Sequence, residues 1–99
     1  MTTQFDGYRL RPQAEADLET IWHYSARRWS VRQAEIYIYE IMTALEDLAL
    51  GRCYGRRKEE VPDYLNYAIG SHNIWFRTAG FIDVVRILHQ SMDVDAYLF

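Results

Sequence analysis

The stretch that decides the fold is "NIWFRTAGFIDVVRIL", residues 73–88. Its two apolar runs, "NIWFRT" and "FIDVVRIL", are separated by Ala79 and Gly80. β-Branched and aromatic residues fill both runs, and a short glycine-containing turn between such runs is typical of a β-hairpin. Upstream, "YLNYAIG" (residues 64–70) alternates apolar and polar side chains and predicts a third strand beside the hairpin.

Two amphipathic helices are predicted before these strands. Apolar residues spaced three and four apart indicate one helix over residues 12–28 and a second one that ends at about Leu50. Ser30, followed three residues later by Gln33, predicts a capping box at the start of the second helix. Gly51 predicts a left-handed cap at its end. The short link makes the two helices antiparallel neighbours, a helical hairpin.

The remaining segments complete the predicted order. Residues 5–10, "FDGYRL", alternate loosely and predict a short first strand, whereas residues 51–63 hold glycine, proline and charges and predict a loop. The fold class is therefore α+β: an N-terminal strand, an antiparallel helical hairpin and a three-stranded antiparallel sheet (β-α-α-β-β-β). A length of 99 residues predicts a single domain over residues 1–99.

Composition excludes several classes of protein. The single cysteine, Cys53, can form neither a disulfide framework nor a zinc set, and the spacing of His23, His72 and His89 matches no metal-ligand motif. No phosphate-binding glycine loop is present, so no cofactor is expected. The N-terminus does not resemble a signal peptide and no apolar run approaches the ~20 residues of a membrane span, so a cytoplasmic protein without membrane contact is predicted.

The charges are mixed. The net charge of −3 argues against a nucleic-acid footprint over the whole surface. It leaves open a local footprint in the basic run from Arg52 to Lys58, which contains four bases. Glu59 and Glu60 follow at once, and a solvated loop is the simpler interpretation.

The predicted hairpin has two faces of different composition. A two-residue turn would pair Arg77 with Ile82 and Trp75 with Val84. One face then carries Ile74, Phe76, Val85 and Ile87, with His89 at its end, and the other carries Trp75, Arg77, Ile82, Val84, Arg86 and Leu88. The helices are assigned to the face without arginines, because a buried guanidinium is costly unless it is paired. The second face is predicted to bind a partner, with Trp75 as an anchor, unless loops or the C-terminal tail cover it.

Two long segments resemble a known family. "YRLRPQAEADLETIWHYSARRWSVRQAEIYI" and "GSHNIWFRTAGFIDVVRILHQSMD" are similar to the ParE toxins of bacterial toxin–antitoxin pairs, within the RelE/ParE superfamily. The most specific pieces are "AEADLETIWHYSARRW" and "VVRILHQSMD". The resemblance runs from about Tyr8 to Asp93.

The resemblance implies a function. Such toxins are held inactive by a ParD-like antitoxin, and the free toxin is expected to inhibit DNA gyrase and block replication, without enzymatic activity and without reading a nucleic-acid sequence. The residues expected to bind the antitoxin are those of the second face: Trp75, Arg77, Ile82, Val84, Arg86 and Leu88. The apolar tail, Tyr97, Leu98 and Phe99, is expected either to pack on the domain or, as favoured here, to contact the target.

The superfamily also offers an alternative. RelE-like relatives cleave mRNA on the ribosome, and His89 matches a histidine that acts in some of them. Under this alternative His89 would act with Arg77 or Arg86 and with Tyr97. The chain is not basic, Asn73 stands where several nucleases carry a base, and Gln90 stands where some carry a tyrosine. These departures favour a binding toxin with no catalytic residue.

Overall fold

The elements of the fold are given by a computed structural model, which describes residues 4–98. In chain order they are β1 (Tyr8–Leu10), α1 (Pro12–Arg28), α2 (Val31–Leu50), β2 (Arg56–Lys58), β3 (Val61–Ile69), β4 (His72–Thr78), β5 (Ile82–His89) and α3 (Val94–Leu98). The strands form one sheet in the order β1-β5-β4-β3-β2. β1 runs parallel to β5, and all other neighbours are antiparallel. The predicted α+β class is confirmed, although the sheet has five strands. Within the described residues, no helix has the length and apolar character needed to cross a bilayer.

The helical hairpin forms where its capping residues predict. The Ser30 hydroxyl accepts a hydrogen bond from the Gln33 backbone N–H at 3.0 Å, and Gly51 ends α2 with φ at 73°. Arg11, at the start of α1, makes no side-chain cap. Its guanidinium instead binds the Asp83 carboxylate of β5 through Nε at 3.1 Å and Nη2 at 2.8 Å. α1 is therefore fastened to the sheet at the point where the chain leaves β1.

The main core lies between the helices and one face of the sheet, called here the helix face. Buried residues of α1 and α2 pack there against buried residues of β4 and β5. The helices contribute Ala14, Ile21, Ile41, Leu45 and Leu48, and the strands contribute Ile74, Phe76, Ile82, Val84 and Ile87. A smaller cluster lies on the opposite face, called here the second face. It consists of Val61, Trp75 and Leu88, covered partly by Tyr64 and by Val94 and Leu98 of α3.

The predicted register of the β4–β5 hairpin is wrong. The loop has three residues, 79–81, so that Thr78 pairs with Ile82. Phe76 then pairs with Val84 while Trp75 pairs with Arg86, which leaves one extra residue, Val85, in a β-bulge. A one-residue shift moves side chains to the other side of a sheet. Ile82 and Val84 are therefore on the helix face, not on the second face as predicted.

The predicted loop over residues 51–63 is also wrong in part. It contains β2, which pairs with β3 at one edge of the sheet, and β3 begins at Val61 instead of Tyr64. All three side chains of β2 are exposed. An edge strand with no buried residue lacks the apolar alternation on which strand prediction depends, and charged residues are typical of sheet edges.

Candidate functional site

Arg86 and Asp17 connect three elements at the open edge of β5. The Arg86 guanidinium binds the carboxylate of Asp17, on α1, through Nε at 2.8 Å and Nη2 at 2.7 Å. The backbone N–H of Ile87 donates to the same carboxylate at 2.9 Å. Arg86 Nη1 also donates to the Tyr97 carbonyl of α3 at 3.2 Å. The hydrogen bond to Asp17 raises the pKa of Arg86, so the guanidinium is held in its charged form.

This arrangement satisfies an unpaired backbone N–H at the edge of the sheet and balances the charge of a mostly buried arginine. β1 pairs with β5 only from Ile82 to Val84, so the rest of that edge has no neighbouring strand. The Asp17 carboxylate accepts the Ile87 N–H that such a strand would otherwise bind. It also neutralises Arg86, whose side chain is only 16% exposed. A bidentate pair of this kind is geometrically specific, so it fixes α1 against β5.

Two adjoining clefts lie beside this pair, between the helical hairpin and the ends of β4 and β5. One, of about 440 Å³, is lined by Tyr24, Trp29, Gln33, Tyr37, His72 and His89 among others. The other, of about 360 Å³, is lined by Asp17, Thr20, Tyr24, His72, His89 and Met92 among others. The two share Tyr24, His72 and His89, and together they are called here the hairpin cleft. Tyr24 and Trp29 are 61% and 66% exposed, so two large aromatic side chains border the cleft with most of their surface in water.

The floor of the hairpin cleft is a hydrogen-bonded network around His72. The Tyr37 hydroxyl lies 2.6 Å from His72 Nδ1 and accepts the Ser71 N–H at 3.2 Å. Burial, with the nearby His89 as a smaller cause, lowers the pKa of His72 to about 4, against a partial opposing effect of Asp17. His72 is therefore neutral at pH 7. The Tyr37 hydroxyl donates to the Ile69 carbonyl at 3.2 Å, and the tautomer of His72 decides whether Nδ1 donates or accepts in its own contact with Tyr37. Gly70 allows the close approach of this ring: its φ is 54°, and a Cβ there would lie 2.7 Å from the Tyr37 hydroxyl oxygen.

His89 is held by its own turn. Its Nδ1 lies 2.8 Å from the Ser91 hydroxyl and accepts the Ser91 N–H at 3.1 Å. Its ring meets His72 edge to face, with centroids 5.2 Å apart. Arg77 pairs with Asp83, six residues from His89 along β5, a separation of roughly 15–20 Å. Arg77 is thus far from His89, whereas Arg86, three residues from His89, is engaged by Asp17 and by the Tyr97 carbonyl.

The six residues predicted to bind an antitoxin lie in different environments. Ile82 and Val84 are 1% and 0% exposed in the main core. Trp75 and Leu88 are on the second face as predicted, but both are buried beneath the cover that α3 and β3 provide. The alternative that the C-terminal segment covers this face therefore applies to Trp75 and Leu88. None of these four offers its side chain to a partner in this conformation.

The two arginines of the predicted set differ from one another. Arg77 is exposed, with its guanidinium 5.6 Å from the centre of the Tyr64 ring. Arg86 is used by Asp17 and by the Tyr97 carbonyl. Antitoxin binding at either residue stays a prediction.

The residues of the C-terminal tail also lie in different environments. Tyr97 is 43% exposed, and its ring centre lies 5.5 Å from the Arg86 guanidinium carbon. Leu98 is partly buried and packs against the cluster of Trp75 and Leu88. Phe99 lies outside the described residues. Leu98 therefore has the packing role that the sequence left open, and a target role for Tyr97 stays a prediction.

Sequence reasoning missed the residues that build the hairpin cleft. Asp17 has no local signal in the sequence, because its partner Arg86 is 69 residues away. Tyr37 stands in no recognisable motif, and His72 was considered only as a metal ligand. The described residues contain no group of three or more His, Cys, Asp or Glu that could hold a metal ion. The one available signal was Gly70, which follows an alternating strand and permits the turn that brings His72 under Tyr37.

The chain matches one protein family over most of its length. That family is described as the ParE toxin of type II toxin-antitoxin system, parDE, and it matches residues 8–94. The chain is 45% identical to Toxin ParE1 of Mycobacterium tuberculosis over 94 residues, covering 92% of this chain and 96% of that protein. It is 39% identical to Toxin ParE1 of Caulobacter vibrioides, with the same two shares.

Solved structures agree at the level of the fold. A structure described as a chromosomal ParDE system from P. aeruginosa superimposes with a TM-score of 0.73, at 20% identity, over 84% of this chain and 94% of that chain. The toxin-antitoxin complex RelBE2 from Mycobacterium tuberculosis gives a TM-score of 0.51 at 16% identity, over 88% of this chain and 99% of that chain. The fold is therefore that of the RelE/ParE toxins. The chain belongs to the ParE toxin family of type II toxin–antitoxin systems.

Proposed function

We propose that this toxin is neutralised by a ParD-like antitoxin and that, when free in the cytoplasm, it inhibits DNA gyrase and blocks replication. Family membership supports an antitoxin partner, since systems of this type pair a toxin with its inhibitor. The gyrase target rests on the resemblance to ParE toxins. The role is one of binding, without catalysis by His89.

The observation that carries the proposal is the hairpin cleft with its exposed aromatic rim. Tyr24 and Trp29 line the cleft with most of their surface in water, and Met92, 41% exposed, lies at its other end. Exposed apolar groups around a groove are typical of a protein-binding surface. An amphipathic segment that lays its apolar side into such a groove fits this shape. We therefore place the antitoxin segment in the hairpin cleft instead of on the second face, where Trp75 and Leu88 are already covered.

Substitution of the cleft rim tests this placement. Trp29→Ala should weaken the complex with the antitoxin by about 2 kcal/mol or more, as loss of a central aromatic anchor usually does. Tyr39→Ala is the matched control, because Tyr39 is 72% exposed on α2 and lines neither part of the cleft. Calorimetric titration of each variant with the antitoxin gives the affinities. Equal affinities for wild type and Trp29→Ala would move the interface elsewhere.

The target is tested separately, by expressing the toxin and measuring DNA breaks and mRNA cleavage in the same cells. Gyrase-dependent DNA breaks with intact mRNA are expected. His89→Gln should remain toxic, because among residues 4–98 the His89 ring hydrogen-bonds to Ser91 of its own turn and otherwise contacts the ring of His72. Loss of toxicity in a folded, antitoxin-binding His89→Gln protein, together with ribosome-dependent mRNA cleavage, would favour the RelE-like alternative.

A further inference from the structure

A basic pocket lies at the opposite edge of the sheet from the hairpin cleft. It has a volume of about 500 Å³ and lies beside β2, between residues of β2, β3 and β4. Its lining is Tyr54, Arg56, Arg57, Lys58, Asn66, Tyr67, Ala68 and Asn73. It thus contains three cations, two side-chain amides, two phenols and no carboxylate. In a chain of net charge −3, this is a local reversal of charge.

None of the cations of this pocket forms an ion pair with another described residue. Within residues 4–98, the ion pairs are made by Arg11, Arg52 and Arg86. None of them involves a base of β2. Lys58 Nζ lies 5.8 Å above the ring of Trp75, which leaves its charge available.

The structure also separates charges that the sequence places side by side. Glu59 and Glu60, next to Lys58 in the chain, line a different pocket together with Asp93 and Asp95. That acidic pocket lies between the β2–β3 turn and the start of α3, and Lys58 is shared between the two. The carboxylates that seemed to cancel the basic run therefore face another part of the surface.

Two buried hydrogen-bond donors lie in the strands next to this pocket: Asn66 lines it, and Trp75 is its neighbour on β4. Asn66 is 5% exposed and Trp75 is 1% exposed. The Asn66 amide nitrogen and the Trp75 indole nitrogen have no hydrogen-bond partner among the described residues. A buried donor without an acceptor costs about 1–3 kcal/mol, so each such group in a folded protein needs an explanation.

The strand register links these donors to the cations. Arg56 pairs with Asn66 across β2 and β3, and Asn66 pairs with Trp75 across β3 and β4. Directly opposed residues point to the same side of a sheet. Arg56, Asn66 and Trp75 therefore form a continuous row on the second face, running inward from the basic edge. An acceptor group seated at Arg56 would also be offered the Asn66 amide.

We propose that this pocket binds the phosphate backbone of a nucleic acid without reading its sequence. Arginine, lysine, asparagine and tyrosine side chains are the groups that donate to phosphate oxygens in such complexes. Tyr54 adds a ring that is 63% exposed next to the cations, and aromatic rings beside a basic groove stack on unpaired bases. The pocket is distinct from the hairpin cleft, and this proposal does not depend on the identity of the antitoxin or of the toxin's target.

The first test measures binding of the purified full chain to a fluorescein-labelled DNA oligonucleotide, single- and double-stranded, by anisotropy at several salt concentrations. The double substitution Arg56→Gln, Lys58→Gln should reduce affinity at least tenfold at low salt. It should also lower the slope of log affinity against log salt by about 2, since each phosphate contact contributes slightly less than 1. Arg27→Gln, Arg32→Gln is the matched control: it removes the same charge from exposed positions of the helical hairpin. If both double variants lose the same affinity, binding follows net charge and the proposal is wrong.

The second test uses Asn66→Leu, a substitution of similar size that removes the buried amide. Affinity for the oligonucleotide should fall several-fold while the salt slope stays unchanged, because the lost donor carries no charge. Stability in urea should be equal or higher, which keeps the result interpretable. Unchanged affinity in this folded variant would exclude Asn66 from the site.

Two competitors test whether the ligand of this pocket is a nucleic acid, an acidic peptide or free phosphate. Poly-glutamate that binds more tightly than DNA, with the same dependence on Arg56 and Lys58, would assign the pocket to an acidic peptide and overturn the proposal. Inorganic phosphate that displaces the oligonucleotide more effectively than sulfate at equal ionic strength would instead assign it to free phosphate. Weak, salt-like competition by both supports the nucleic-acid assignment.

Discussion

At the scale of single residues, Asp17 makes the contacts with the largest consequences. Asp17→Asn removes the charge that balances Arg86, whose side chain is mostly buried, and leaves one oxygen for the Ile87 N–H. We expect a loss of about 2–3 kcal/mol in the free energy of unfolding, somewhat less than for a fully buried pair. Urea unfolding followed by tryptophan fluorescence gives this value.

The control for this prediction is Asp47→Asn, because Asp47 also forms an ion pair with an arginine, but at the protein surface. Asp47 accepts from Arg52 at 3.4 Å, and their side chains are 34% and 69% exposed. Exposed pairs contribute little, so Asp47→Asn should cost about 0.5 kcal/mol or less. Equal losses for the two variants would mean that Asp17 has no special structural role.

His72 gives the fold a dependence on pH. Its pKa is lowered from 6.5 to about 4, so between these values the unfolded chain binds a proton that the folded chain does not. The free energy of unfolding should therefore fall as the pH decreases from about 6.5 towards 4. The contribution of His72 should be fully present above pH 6.5. Because His72 is only half-buried, we expect a loss of about 1–2 kcal/mol, less than the full shift implies.

The measurement is the urea midpoint at pH 7 and at pH 5, for wild type and for His72→Gln. The variant keeps a group that can hydrogen-bond to the Tyr37 hydroxyl but cannot titrate in this range. Its pH dependence should be smaller than that of wild type. If both proteins lose the same stability at pH 5, other groups are responsible.

At the scale of elements, the short helix α3 is expected to contribute to stability through its apolar side chains, Val94 and Leu98. Leu98 packs on Trp75 and Leu88, whereas the adjacent Tyr97 exposes 43% of its surface. Leu98→Ala should lower the free energy of unfolding by about 1–2 kcal/mol, in proportion to its partial burial. Thermal unfolding of the variant gives the comparison. A melting temperature equal to that of wild type would mean that α3 is not docked in solution.

Prediction from sequence succeeded for elements whose signals are local. Both long helices begin and end where their caps and apolar spacing indicate, because each signal lies within a few residues of the boundary it sets. β2 was missed because its stability comes from hydrogen bonds to β3, which leave no mark on side chains that all face water. The bulge at Val85 was missed because an extra residue inside an apolar run does not change its composition.

The candidate site was less predictable than the fold for the same reason. The predicted register was wrong by one residue, so Ile82 and Val84 were assigned to the wrong face. Because the predicted interface was defined by that face, it included both buried residues. The assumption that arginines avoid the helices was also too simple. Arg86 starts on the second face, beside Trp75, and reaches the Asp17 carboxylate of α1 at the open edge of β5.

At the scale of the whole molecule, toxicity and antitoxin binding are expected to depend on different surfaces. We propose that Tyr97 contacts the target, because its ring lies beside Arg86 and 43% of its surface is exposed. Tyr97→Ala should abolish growth inhibition while the melting temperature and the affinity for the antitoxin change little. Growth assays and calorimetry on the same variant provide the measurement. A fully toxic Tyr97→Ala protein would exclude this contact, and a strongly destabilised one would make Tyr97 a packing residue instead.

The pairing of β1 with β5 has a consequence for how the protein is made. Because Tyr8 pairs with Ile82, β1 leaves the ribosome before its partner strand, β5, has been synthesised. At typical rates of synthesis this interval is on the order of 4–15 seconds. During that interval Asp17 lacks its partner Arg86, and the helical hairpin can pack against only part of the sheet. A message broken or terminated before the codon for Ile82 therefore yields a chain without β5, the strand that joins β1 to the rest of the sheet, and we expect this fragment to be degraded without harm to its host.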